Sequence, residues 1–204
     1  MTFYRKRTPR ISTRAKELFF PLFPAVIAII ISGCATRDFS TLRPGIEDRG
    51  HYIDGVPFYR QQEYSCGPAA LASILAYWGR PANLEQITAA VYLPKLRGTL
   101  PMDMENFMRD AGFETFSTAG TLEEVKSHIR AERPVICLLD LGFSIYRQPH
   151  YVTVLGFDDV NAILVVHDGL RSNLVISYDA FEKEWRRAGC WMLAVRPQSP
   201  KVAP

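Results

Sequence analysis

Apolar residues recur every three or four positions between residues 68 and 131, and they form continuous or alternating runs from residue 134 onward. The first pattern is typical of helices and the second of strands. Two helix starts carry capping-box residues, Asn83 with Gln86 and Thr121 with Glu124. The predicted helices span residues 68–78, 83–91, 101–111, 121–131 and 178–188, and the predicted extended segments span residues 113–116, 134–141, 151–157, 162–167, 173–177 and 190–196. Helices followed by an antiparallel sheet make an α+β fold.

The N-terminus has a different pattern. Residues 1–16 carry six basic side chains and no acid, and an apolar run follows over residues 18–31. This is typical of a secretory signal, and the run is short for a membrane-spanning helix. It ends in Ile-Ser-Gly-Cys34, which resembles a bacterial lipobox and implies that Cys34 is acylated and becomes the mature N-terminus. The alternative is an uncleaved N-terminal helix that anchors the chain by itself.

A lipid on Cys34 predicts a location in the cell envelope, with the protein membrane-anchored and facing the periplasm or the exterior. Because Ala35 rather than Asp follows, the outer membrane is preferred in a Gram-negative cell. Residues 34–55 are polar, contain Gly and Pro, and predict a flexible tether. Residues 56–198 then form one domain, and residues 199–204 form a tail.

Charge excludes one class of function. The chain has 24 Lys and Arg against 21 Asp and Glu, but the signal peptide, residues 1–33, holds six of the basic residues and one acid. The remainder has 18 basic and 20 acidic side chains, so no basic domain for nucleic acid is expected. The sequence also contains no Walker-type phosphate loop and no paired short spacings of a zinc site, and we predict neither an ATP site nor a metal or other cofactor.

Three cysteines remain after Cys34, and an odd number outside the cytoplasm leaves at least one free thiol. Cys66 precedes the first predicted helix, where free backbone N–H groups and the helix dipole favour an anion. We therefore expect the pKa of its thiol to be lowered and Cys66 to act as a nucleophile. Cys137 and Cys190 lie in predicted strands, where they are either buried core residues or joined by a disulfide.

A thiol nucleophile needs a base, an orienting group and donors for the oxyanion. His150 stands at the start of a strand, and Asp168 ends the next strand, so the two are expected to meet. His167 is expected to point to the opposite face from Asp168. Either Gln61 or Gln62, just upstream of Cys66, is the candidate oxyanion donor.

Three separated motifs, Gln61…Cys66-Gly-Pro-Ala-Ala-Leu, His150-Tyr-Val-Thr-Val-Leu-Gly-Phe and Val-His-Asp168-Gly, resemble the double-glycine cysteine peptidases that process bacteriocin leaders. The resemblance covers residues 56–196. It implies a papain-like fold with Cys66 as nucleophile, His150 as base, Asp168 as orienting residue and Gln61 as oxyanion donor. Such domains are usually fused to an ABC transporter, and this chain departs from that pattern, so we expect a stand-alone lipoprotein member of the family.

The sequence thus predicts a membrane-anchored, extracytoplasmic cysteine peptidase that acts on a peptide or protein through a thioester intermediate. Two alternatives remain open. One is an amidase or acyltransferase on the same scaffold, since the site fixes acyl-enzyme chemistry better than the acceptor. The other is a catalytically silent lipoprotein adaptor that binds peptides without cleaving them.

Overall fold

The computed structural model describes residues 38–62 and 64–198. These residues form a seven-stranded antiparallel sheet with helices on both faces. The helices are α1 (Phe39–Leu42), α2 (Ile46–Arg49), α3 (Cys66–Tyr77), α4 (Leu84–Val91), α5 (Pro101–Asp110), α6 (Leu122–Arg130) and α7 (Tyr178–Arg187), with a 3₁₀ turn at Arg43–Gly45. The strands are β1 (Gly50–Tyr52), β2 (Phe113–Ala119), β3 (Val135–Asp140), β4 (Pro149–Asp158), β5 (Ile163–His167), β6 (Leu174–Ser177) and β7 (Trp191–Pro197).

The long strand β4 organises the sheet. The strand order is β2-β7-β3-β4-β5-β6, and the short β1 pairs with the far end of β4, where Gly50 lies opposite Asp158. The near end of β4 begins at Pro149, and His150 there pairs with Leu139 of β3. Ten residues at about 3.3 Å each separate these two ends by roughly 30 Å.

Strand alternation divides the core into two layers. On one face, α3, α4 and α5 cover alternate residues of the central strands, including Ile136 and Tyr151. On the other face, α6 and α7 pack on the intervening residues, including Cys137 and Val152, and Trp185 of α7 is almost completely buried there. Because neighbouring residues of β4 face opposite layers, Tyr151 contacts the α3 layer, whereas His150 follows the register of Val152.

The helices and strands predicted from periodicity are confirmed, with boundaries that differ by at most three residues. The predicted capping box is present, because the Thr121 hydroxyl accepts from the N–H of Glu124 and the Glu124 carboxylate accepts from the N–H of Thr121. The Asn83 side chain likewise caps α4 by accepting from the N–H of Gln86. Local sequence signals therefore set these helix starts.

The prediction of a flexible tether over residues 34–55 is wrong for residues 38–55. They form α1, α2 and β1, and Ile46 and Ile53 are fully buried. Burying one such side chain contributes about 1.5–3 kcal/mol. The buried Asp158 also holds this segment, accepting from Arg49 at 2.8 Å. Two well-spaced isoleucines give no periodic signal, so the sequence pattern missed the packing. The folded domain includes residues 38–55 and does not start at residue 56.

Within residues 38–62 and 64–198, no helix is long and apolar enough to cross a bilayer.

Candidate active site

Cys66 is the first residue of α3 and lies in a cleft of about 540 Å³. The loop of residues 92–100 closes over the helix start, because a Cβ on Gly67 would lie only 2.9 Å from the Thr99 side chain. The Thr99 carbonyl in turn accepts from the Tyr151 hydroxyl at 2.9 Å. Glycine after Cys66 therefore allows this loop to approach, and Tyr151 ties the loop to β4.

Burial raises the pKa of the Cys66 thiol above its usual value, against the prediction from the helix start. Backbone N–H groups of Tyr151, Gly67 and Cys66 itself lie near the sulfur and oppose this effect, but burial is the larger influence. Desolvation penalises the thiolate more than these dipoles stabilise it. The Cys66 thiol is therefore neutral at pH 7, and a base would have to remove its proton before the sulfur could attack a carbonyl.

His150 borders the same cleft as Cys66. Its Nε2 lies 2.9 Å from the backbone carbonyl oxygen of Asp168. A carbonyl only accepts, so Nε2 carries the proton and the lone pair of Nδ1 stays available. Burial lowers the pKa of His150, and the nearby charge of Arg171 lowers it further, whereas Asp168 opposes the shift. The imidazole is thus neutral at pH 7 and has a nitrogen ready to accept a proton.

His167 lies on the Cys66 side of the sheet, and both residues line a cavity of about 10 Å³. Its ring is already committed on both sides: Nε2 donates to the Val56 carbonyl at 3.2 Å, and Nδ1 accepts from the N–H of Asn173 at 3.2 Å. A ring with both nitrogens bonded to backbone has no lone pair for a second proton. This leaves His150 as the candidate base.

Asp168 reaches His150 through its backbone rather than its side chain. The carboxylate accepts from the N–H groups of Leu170 and Arg171 at 2.8 and 2.6 Å, and from the Arg171 guanidinium at 2.9 Å. These bonds close a tight turn after β5 and hold the Asp168 carbonyl against His150. The predicted meeting of the two residues is present in the structure. It is made by the Asp168 carbonyl, because Arg171 and the turn occupy the carboxylate.

Gln61 and Gln62 lie in different places. Gln61 borders the cleft of Cys66 and His150, whereas Gln62 faces α4 from a separate depression. The N–H of Gln61 donates to the Gly169 carbonyl at 2.8 Å, and its side chain packs on this glycine, where an added Cβ would come within 2.5 Å of Oε1. Gly169 also has φ +77°, so glycine is favoured there both by the backbone conformation and by the close approach of the Gln61 side chain. Gln61 is therefore the glutamine placed beside the candidate nucleophile.

The loop of residues 141–148 leads from β3 into His150 and is held at its base by charged groups. Asp140 accepts from the N–H groups of Gly142 and Gln148, and Arg187 of α7 donates to the carbonyls of Asp140 and Gly142. At its tip, by contrast, large apolar side chains are 79–88% exposed. These are Phe143, Ile145 and Tyr146. Hydrogen bonds therefore hold the base of this loop next to His150, while its tip exposes apolar surface.

The remaining predicted residues take no part in this cleft. Cys137 and Cys190 are free thiols, so they form no disulfide in the structure, and burial raises the pKa of Cys137. Cys34, the predicted lipidation site, lies outside the described residues. Within residues 38–62 and 64–198, no three His, Cys, Asp or Glu side chains are grouped to hold a metal ion.

Sequence-based reasoning missed three contributors to this site. They are Tyr151, whose N–H lies near the Cys66 sulfur, Thr99, which packs on the helix start, and Arg171, which occupies the Asp168 carboxylate. Tyr151 and Arg171 are close in sequence to predicted site residues, and this proximity was the only available signal. Thr99 is 33 positions from Cys66 and gave none.

Comparison with known proteins identifies the same region. Residues 53–192 match the family model described as "Peptidase_C39 like family". A search of curated proteins finds no relative of this chain.

Solved structures share the fold. The peptidase domain of ComA from Streptococcus, a bifunctional ABC transporter of a quorum-sensing pathway, is 23% identical with a TM-score of 0.59, over 71% of this chain and all of that one. A double-glycine-motif protease from an AMS/PCAT transporter, solved with a leader peptide, is 22% identical with a TM-score of 0.58, over 74% and 96%. A putative C39-like peptidase from Bacillus anthracis is 14% identical with a TM-score of 0.62, over 74% and 98%. At these identities the likeness establishes a papain-like α+β fold.

Proposed function

Because this chain belongs to the Peptidase_C39 like family, we propose that it is a cysteine peptidase that hydrolyses peptide bonds with Cys66 as nucleophile and His150 as base. The observation that carries the proposal is the bond from His150 Nε2 to the Asp168 carbonyl. It fixes the tautomer that leaves Nδ1 free, in the cleft where the Cys66 thiol lies.

The proposed reaction begins with transfer of the Cys66 proton to Nδ1 of His150 while sulfur attacks the substrate carbonyl. The side-chain amide of Gln61 stabilises the oxyanion of the tetrahedral intermediate. His150 then returns the proton to the leaving amine, the C–N bond breaks, and a thioester on Cys66 remains. Water attacks the thioester with His150 again as base, which releases the acid and restores the thiol.

A peptide is the substrate class that the cleft supports best. Apolar side chains line its rim, with Tyr64, Leu96 and Leu100 each at least 40% exposed. One structural neighbour, the double-glycine-motif protease from an AMS/PCAT transporter, was solved in complex with a leader peptide, so a protein of the same fold binds a peptide. An exposed apolar rim beside a thiol and an imidazole suits a segment of polypeptide better than a small polar amide.

The proposal is tested by incubating the full chain, in detergent micelles, with a peptide mixture and stopping the reaction in acid. We expect an acyl adduct on the Cys66-containing fragment and new C-termini in the mixture, both lost after prior alkylation with iodoacetamide. In H₂¹⁸O, hydrolysis places ¹⁸O in the new carboxyl groups, whereas transfer to an amine does not. Peptide binding without an adduct or cleavage would favour the silent adaptor instead.

The membrane anchor is part of the same proposal and rests on the lipobox ending in Cys34. Two or more acyl chains hold a protein stably to a bilayer, where one chain gives only marginal binding. We expect labelled palmitate to enter the protein in growing bacteria, and Cys34→Ser to remove the label and release the protein from the membrane fraction. Unchanged membrane association in Cys34→Ser would support an uncleaved N-terminal helix as the anchor.

A further inference from the structure

A second groove borders His150 on the side away from Cys66. It has a volume of about 350 Å³ and lies between α7 and the β4-β5-β6 face of the sheet. His150, Gln61 and Gln148 line both this groove and the Cys66 cleft, so the two depressions meet at the imidazole. We call this second depression the α7 groove.

The wall of the α7 groove is apolar, and its charge is negative. Its accessible aliphatic surface comes from Leu141, Leu170, Leu174 and Ile176. Leu139, Val152 and Val166 also line the groove but are almost completely buried. Three charged side chains also line it, and two of them neutralise each other, since Arg171 donates to the Asp168 carboxylate at 2.9 Å. The third is Glu184, which is half-buried and forms no hydrogen bond or ion pair with residues 38–62 and 64–198.

The charges nearest Glu184 along its own helix do not neutralise it. Arg187 is one turn away, but its guanidinium donates to the carbonyls of Asp140 and Gly142 at the base of the 141–148 loop. Burial raises the pKa of Glu184, while Arg187 and Lys183 oppose the rise. A half-buried carboxylate without a direct partner can bind a cation through charge-assisted hydrogen bonds.

The position of His150 indicates which part of a substrate this groove would bind. In acyl transfer the imidazole that takes the thiol proton returns it to the leaving amine, so the leaving amine must lie beside the imidazole. A groove that continues past His150 away from Cys66 therefore receives the residues that follow the scissile bond. A lysine or arginine side chain fits it, because its aliphatic stem matches the apolar wall and its charged end matches the Glu184 carboxylate.

We propose that the α7 groove is a specificity subsite that binds a Lys or Arg side chain on the C-terminal side of the scissile bond through Glu184. The proposal rests on the peptidase function proposed above, and it deepens that function by naming a preferred substrate residue. Glu184 is a binding residue here and takes no part in bond breaking.

Binding is measured first, because it does not require turnover. The full chain carrying Cys66→Ala, in detergent micelles, is titrated with acetyl-Lys-Ala-Ala-amide and with the same peptide carrying norleucine, which keeps the stem and lacks the charge. We expect the lysine peptide to bind about tenfold more tightly, and Glu184→Gln to abolish the difference. Glu182→Gln is the matched control, since Glu182 is on the same helix but pairs with Arg186. Equal affinity for both peptides overturns the proposal.

Cleavage is measured second, with wild type and Glu184→Gln acting on a peptide mixture. We expect basic residues to be enriched after the cleaved bond with wild type and not with Glu184→Gln. Cleavage without this enrichment, or enrichment that survives Glu184→Gln, overturns the subsite while leaving the peptidase intact. Charge-dependent binding without any cleavage refutes the peptidase function and leaves the groove as a cation-binding site.

Discussion

Cys66→Ala is expected to abolish peptide cleavage, with kcat/KM falling by about 10⁵-fold or more. The substitution removes the sulfur on which the proposed thioester forms, and water is a far poorer nucleophile than a thiolate. The side chain is small and lies at the start of α3, so alanine suits the helix and leaves the fold intact. Initial rates on a peptide that wild type cleaves measure the effect, and circular dichroism verifies the fold.

Cys190→Ala is the matched control for this prediction. Cys190 is also a partly exposed free thiol, but it lies just before β7 and does not line the cleft. We expect the activity of Cys190→Ala to stay within about twofold of that of wild type. Cleavage retained in Cys66→Ala would contradict the assignment of the nucleophile, and cleavage lost in both variants would point to a requirement for fold integrity rather than for one thiol.

His150→Ala is expected to lower kcat/KM by about 10²–10⁴-fold, the usual contribution of a general base. The loss has a pH signature. Because burial lowers the pKa of His150, the neutral, proton-accepting form persists below the ordinary value of about 6.5. Activity of wild type is therefore present at neutral pH and is lost as the pH falls through a value below 6.5, and this acid limb disappears in the residual activity of His150→Ala.

His51→Ala is the control for His150→Ala, since His51 lies at the opposite end of β4, opposite Phe157, and pairs with Glu132. It should leave the rate and the acid limb unchanged. An acid limb above pH 6.5 in wild type would contradict the desolvated site. A limb that persists in His150→Ala would assign the base to another group.

Asp168→Asn tests whether the backbone carbonyl or the carboxylate of Asp168 orients the His150 imidazole. The variant keeps the carbonyl that accepts from His150 Nε2, so we expect a loss of no more than about tenfold. If the carboxylate bonded the imidazole directly, Asp168→Asn would lower the rate by about 10⁴-fold, the loss typical of an imidazole left in the wrong tautomer. A loss of that size would mean that the Asp168 side chain leaves Arg171 and turns to His150 when substrate binds.

These experiments also distinguish the three functions that the sequence leaves open. A silent adaptor keeps peptide binding in Cys66→Ala and His150→Ala and has no rate to lose. An acyltransferase loses its rate in both variants but forms an amide with an added amine. A peptidase loses peptide hydrolysis in both variants and incorporates oxygen from water into the new C-terminal carboxyl group, whereas an amidase leaves the peptide bonds uncut.

The sequence by itself determined the elements and singled out the candidate site residues. Helix and strand periods follow from the alternation of buried and exposed positions, and capping residues such as Thr121 satisfy local backbone groups. These are short-range constraints, and the order of Cys66, His150 and Asp168 along those elements was sufficient for the resemblance to a cysteine peptidase family. The match over residues 53–192 confirms that family.

Tertiary structure decided what depends on contacts between distant residues. Ile46 and Ile53 are buried because the N-terminal segment packs on the sheet, which no local period reveals. Burial of Cys66 outweighs the helix start in setting its pKa, and Arg171 diverts the Asp168 carboxylate, so the carbonyl orients His150. Desolvation and hydrogen-bond competition depend on the full three-dimensional surroundings of a group, and a linear pattern holds no measure of either.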